Sequence, residues 1–191
     1  MRFLSLFAGA MMLVGTAQAA DMKDPENTLL LQLKDGTVVI QMYPEKAPGH
    51  VARIKELVRK KFYDGIVFHR VIDGFMAQTG DPTGTGTGGS GQNLKAEFND
   101  LHHVRGTASM ARAASNDSAD SQFFICFKPA PFLDGQYTAW GQVVSGMEYV
   151  DAITKGEPPV NPDKIITLRV AADVADKAQE AAAPAPVAVK Q

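Results

Sequence analysis

Arg70 lies inside Phe68-His69-Arg70-Val71-Ile72, a run whose other members, His69 apart, are apolar. A guanidinium keeps its proton at any ordinary pH and loses much free energy when stripped of water without a partner. Strand geometry alternates side chains between faces, so the spacing predicts Phe68, Arg70 and Ile72 on one side of an extended segment. Asp73-Gly74 then turns the chain into a second apolar run at 75–77. Two local readings fit. The arginine snorkels from a sheet rim or pairs with an acid, or it is a cationic hydrogen-bond donor held beside an apolar pocket made by Phe75 and Met76.

The elements that would position these residues are short. Residues 28–33 and 37–42 read as strands around Lys34-Asp35-Gly36, a hairpin signal. Pro48 suits a first helical turn, and Val51, Ile54 and Val58 recur at helical spacing, with Arg53, Lys55, Glu56 and Lys60 toward solvent. Residues 61–65 break that helix. Strand-like runs follow at 66–71, 75–79, 108–111, 122–127, 138–144 and 165–170. A second short helix over 146–155 would pack through Met147, Val150 and Ile153. Many short strands and two helices predict a mainly β domain of barrel type.

At 191 residues the chain suits one such domain with a sizeable core. A formal charge of −2 offers no single-sign surface for nucleic acid. The lone Cys126 excludes an internal disulfide and reads as a small buried thiol in its apolar run. His50, His69, His102 and His103 lack metal-site spacing, and His102-His103 reads as a solvated loop pair. Gly84-Thr85-Gly86-Thr87-Gly88-Gly89 satisfies G-x-G-x-x-G, yet no apolar helical stripe opens after it and no Gly-Lys-Ser follows. These glycines are better read as letting a surface loop approach the rim of a groove. No metal and no cofactor are expected.

Phe68-His69-Arg70-Val71-Ile72, Gly74-Phe75-Met76, Gln78, Ser121-Gln122-Phe123-Phe124-Ile125 and Leu133-Asp134-Gly135 follow one another in the order and approximate spacing of the cyclophilin family. From about residue 27 to residue 170 the chain resembles those peptidyl-prolyl cis–trans isomerases. The resemblance implies a closed eight-stranded antiparallel β-barrel capped by two α-helices. It also implies a proline pocket of Phe75, Met76, Phe124 and Leu133 with Phe132 on its wall. Arg70 would be the catalytic donor to the prolyl nitrogen, and Gln78 would orient Arg70 or bind substrate backbone. The backbone at Arg112, after Ala111, would pair with an extended peptide, and Gln122 would line the same groove. Tyr137 stands where histidine is common in the family, and Phe132 where many eukaryotic members carry tryptophan. The lost indole N–H implies weak cyclosporin binding. The expected partners are unfolded or partly folded proline-containing polypeptides, met by a monomer. The rival reading is a non-catalytic chaperone or assembly module that grips proline segments.

The two ends read differently from the middle. Arg2, the apolar run 3–14 and Ala17-Gln18-Ala19 have the order of a secretory signal, giving a leader over 1–19 and a polar linker over 20–26. Residues 171–191 are Ala-rich with Pro184 and Pro186, and read as a flexible tail with transient helicity over 172–183. A periplasmic or secreted protein without stable membrane insertion follows from these readings. Intact-mass analysis of exported protein should find residues 1–19 removed; a mass retaining them would defeat the leader reading.

Overall fold

The computed structural model describes residues 23–182; the predicted leader, the first residues of the linker and residues 183–191 lie outside the described residues. Eight strands form one antiparallel sheet: β1 (Thr28–Gln32), β2 (Thr37–Met42), β3 (Arg70–Ile72), β4 (Met76–Thr79), β5 (Thr107–Met110), β6 (Phe123–Cys126), β7 (Ala139–Ser145) and β8 (Thr167–Val170). Their spatial order is β3-β4-β6-β5-β7-β2-β1-β8. Each of the eight lies on or beside a strand-like run of the sequence.

The expected closure of the barrel is not what is found. The sheet is curled but open, with β3 and β8 at its ends and no ladder between them. The chain just outside those strands bridges the gap. Gly65 and Phe68 donate to Ile165 and Asp163 at 2.8 Å each, and Ile165 donates back to Ile66 at 2.9 Å. Further along, Val71 and Gly156 exchange two backbone hydrogen bonds of 2.8 Å. Because regular strand geometry stops across 66–69, Phe68 turns into the main core while Ile72 packs on the opposite side of the sheet. Phe68 and Ile72 therefore do not share the face that strict alternation predicts.

The main core lies inside the curl. Tyr63, Phe123 and Trp140, all fully buried, meet edge to face with ring centroids 5.6 Å apart at each contact. The Tyr63 hydroxyl donates to Ser121 O at 3.0 Å, satisfying the one polar atom of its ring.

Helix α1 (Pro48–Arg59) covers this core through His50, Val51, Ile54, Leu57 and Val58. Arg53, expected in solvent, is also buried: Nη1 donates to Glu56 at 2.6 Å and Nη2 to Ser90 Oγ at 2.8 Å. The helix has Ala47 at its N-cap and no local side-chain cap. Glu97 replaces one from a distant loop, accepting the N–H groups of Gly49 (2.8 Å) and His50 (2.9 Å) and contacting His50 Nδ1 at 2.6 Å. Burial opposes the charge of Glu97, but these donors bring its carboxyl below the ordinary value.

Helix α2 (Met147–Asp151) is shorter than the predicted 146–155. Helix α3 (Ala171–Ala182) begins where a flexible tail is expected. Its first turn is held because Ala171 is buried and Asp173 binds Arg59, which also binds Glu26. Among the described residues no helix is long and apolar enough to cross a membrane. Replacing Glu97 by Ala should leave the first turn of α1 uncapped and lower stability by about 2 kcal/mol. Urea unfolding at neutral pH measures this, and a loss below about 0.5 kcal/mol would exclude Glu97 as the cap.

Candidate active site

The outer face of the same strands carries a second, smaller apolar cluster. Along β6, Phe123 and Ile125 enter the main core, whereas Phe124 and Cys126 face the other way. Met76 on β4, with Ala130 and Leu133, completes the second cluster, and Ile72, Phe75, Ala111 and Tyr137 pack on its edge. Above it opens a cavity of about 980 Å³. Burial pushes the Cys126 thiol up to about 12, so it is an inert member of the cavity's underside.

Arg70, Phe75, Met76, Gln78, Ala111, Arg112, Phe124, Phe132, Leu133 and Tyr137 all line this cavity. Gln122 does not. It lines an adjoining cleft of about 440 Å³, where its amide accepts from Gln78 at 2.9 Å and donates to Gly86 O and Gly88 O at 3.0 and 2.8 Å. Gln78 is thus turned toward Gln122, and it makes no hydrogen bond to Arg70, its cross-strand partner.

Arg70 lies at the mouth, about half exposed, with Nε donating to Glu157 Oε2 at 2.8 Å. Its two terminal NH₂ groups have no partner among the described residues. Arg112 differs: its guanidinium lies 4.7 Å from the Tyr137 ring centroid and donates to the carbonyls of Gln136, Ala113 and Ala114. The backbone N–H and C=O of Arg112 are unpartnered among the described residues, leaving both able to pair with an extended chain.

The aromatic walls touch. Phe75 and Phe132 have centroids 5.5 Å apart, and Phe124 and Tyr137 meet edge to face at 6.0 Å. Phe132 is 62% exposed, so its ring forms an apolar lip. It and Leu133 belong to the 3-10 turn Pro131–Leu133, which the next residue anchors. Asp134 accepts the His103 N–H and contacts Nδ1 of both His102 and His103, all at 2.8 Å. Those donors, the His103 N–H foremost, hold its carboxyl well below the ordinary range. His103 is therefore no solvated loop residue. It is buried, stacks on Phe124 at 6.2 Å, and reaches Ser109 Oγ at 2.9 Å.

The opposite wall is the glycine-rich loop, with Gly84, Thr85 and Gly86 on the cavity. Asp81, almost wholly buried, gathers the N–H groups of Thr83, Gly86 and Gly88 and the Thr83 hydroxyl. A Cβ at Gly88 would overlap Asp81 Oδ1, so this approach requires glycine. His69, also buried and lining the cavity, makes no hydrogen bond through either ring nitrogen among the described residues, and burial holds it below the usual imidazole value. Glu157, Pro158, Gln136 and His69 are lining residues that sequence reasoning missed.

The family model for cyclophilin type peptidyl-prolyl cis-trans isomerases matches residues 28–170, the whole sheet. The chain belongs to this family. A Brucella suis protein named as a probable peptidyl-prolyl cis-trans isomerase is 51% identical over 177 residues, covering 84% of this chain and 90% of its own. Peptidyl-prolyl cis-trans isomerase B of Bacillus subtilis is 46% identical over 128 residues, covering 65% of this chain and 89% of its own. Among solved structures, a Hirschia baltica cyclophilin superposes with TM-score 0.73 at 29% identity, over 78% of this chain and 76% of the other. A Cryptosporidium parvum cyclophilin type isomerase, crystallised in the presence of the dipeptide Ala-Pro, gives 0.70 at 28%, over 75% and 98%. As a family member the chain is an enzyme of the isomerase class.

The loop wall of this cyclophilin yields a pH dependence. Burial works against the charge of Asp81, but its donors bring the carboxyl down to about 2 from an ordinary 3.8. Its folded value lies below its unfolded one, so its contribution is complete above about pH 4 and disappears as the pH falls through about 2. Asp81→Asn should therefore lower stability by about 2 kcal/mol at pH 7, with the difference from wild type closing in acid. Denaturant unfolding between pH 7 and pH 2 checks this, and a difference independent of pH would refute it.

Proposed function

We propose that this cyclophilin accelerates X-Pro bond rotation in unfolded or partly folded exported polypeptides, with Arg70 as the catalytic donor. The observation that carries the reading is the placement of two guanidinium NH₂ groups, unpartnered among the described residues, at the mouth of a cavity whose floor is apolar. Rotation about a prolyl amide must overcome roughly 18–20 kcal/mol, because resonance is lost at the twist. A 10⁵-fold acceleration removes about 7 kcal/mol of that. No bond to carbon breaks, so no nucleophile is needed. The pocket of Phe75, Met76, Phe124 and Leu133 holds the ring, and the free backbone of Arg112 holds the flanking chain. A donor from Arg70 then meets the nitrogen lone pair that appears only when the amide twists. That contact is stronger in the transition state than in either planar form, as catalysis requires.

The phenyl ring of Phe132 offers a bound cyclosporin contact area but no N–H, which supports weak drug binding. The leader-like order of residues 1–19 supports export. Arg70→Ala separates catalysis from mere gripping of proline segments. Turnover of an Ala-Pro peptide should fall at least about 100-fold with affinity kept within about threefold. Binding without turnover in the folded wild type would replace the isomerase reading by a proline-binding chaperone.

A further inference from the structure

We infer that Glu157 is a positioning residue for Arg70, taking the orienting role that Gln78 leaves vacant; this rests on the isomerase reading above. The two residues lie 87 positions apart and are joined by Arg70 Nε to Glu157 Oε2 at 2.8 Å. Their backbones are locked together. Val71 and Gly156 pair as an antiparallel bridge through two hydrogen bonds of 2.8 Å. Arg70 and Glu157 are therefore the next cross-strand pair, with side chains delivered to the same side.

The consequence is orientation, not stability. Arg70 and Glu157 are 45% and 50% exposed, and ion pairs in such surroundings contribute little to folding. A long arginine at a cavity mouth otherwise samples many rotamers. Fixing Nε sets the plane of the guanidinium and leaves only the terminal NH₂ groups to meet a substrate. Gln78 does not do this where it stands: it makes no hydrogen bond to Arg70, and its amide nitrogen donates to Gln122, which in turn holds the glycine-rich loop. Glu157 also lines the cavity beside Pro158 and lies outside the apolar cluster that forms its floor.

The test measures kcat and KM for an Ala-Pro peptide in wild type, Glu157→Ala, Glu157→Gln, Arg70→Ala and the Arg70→Ala/Glu157→Ala double variant. Thermal unfolding confirms that each is folded. Glu157→Ala should lower kcat about tenfold with KM within about twofold, since misorientation of a catalytic donor acts on the transition state. Glu157→Gln, which keeps an acceptor oxygen, should recover most of the loss. The double variant should be no slower than Arg70→Ala, because Glu157 acts only through that side chain. In parallel, the Arg70 Nε–H signal should exchange with solvent faster in Glu157→Ala than in wild type. Unchanged turnover and exchange in Glu157→Ala, or losses that multiply in the double variant, would overturn the inference. A wild type without turnover overturns the isomerase reading alone, and the Nε–H exchange then decides the positioning by itself.

Discussion

The architecture depends on one strand that is buried on both faces. In β6, Phe123 and Ile125 complete the main core while Phe124 and Cys126 build the floor of the cavity. Because the side-chain period of a strand is two, neither set can move without the other. A slip of one residue would exchange the two sets, sending the floor residues into the main core and the core pair to the cavity floor. The cavity is therefore as firmly placed as the core, although it is open to water. β4 repeats the arrangement, with Ala77 inward and Met76 outward.

The strands supply the floor, and buried or half-buried carboxylates fix the walls. Asp81 folds the glycine-rich loop, Asp134 holds the turn that carries Phe132 and Leu133, and Glu97 caps the helix that backs the core. Each accepts hydrogen bonds from backbone N–H groups of a segment lacking strand partners. Those groups would otherwise be desolvated without compensation. Charge makes such bonds stronger than neutral ones. Two of these segments, the glycine-rich loop and the turn at 131–133, wall the groove, and the third, the first turn of α1, backs the core.

Much of this was legible in the chain. Short apolar runs mark the strands, and the motifs shared with the cyclophilin family, in their order and spacing, mark Phe75, Met76, Phe124, Leu133 and Arg70 as a site. What was not legible depends on distant pairing. Nothing near Glu157 in Gly-Glu-Pro-Pro announces an arginine 87 positions earlier. Nothing near His103 announces Asp134, so an adjacent pair of histidines looks like solvated loop. Arg53 resembles any solvent-facing helical charge until Ser90 is seen above it. The open ends of the sheet escape for a related reason: closure depends on whether two end strands share a ladder, and both are short.

The segment at Gly156–Pro159 bears on how the chain tolerates insertion and deletion. Viewed as sequence it is an exposed Pro-rich connection, the sort that commonly absorbs changes in length. Here it also occupies the free edge of β3, where bare N–H and C=O groups would otherwise invite another strand. Adding or removing one residue before Gly156 would uncover that edge and shift the carboxylate at the same stroke. Cover of the sheet edge and placement of the carboxylate beside Arg70 thus constrain the same few positions, while Val160, 94% exposed just beyond them, carries neither constraint.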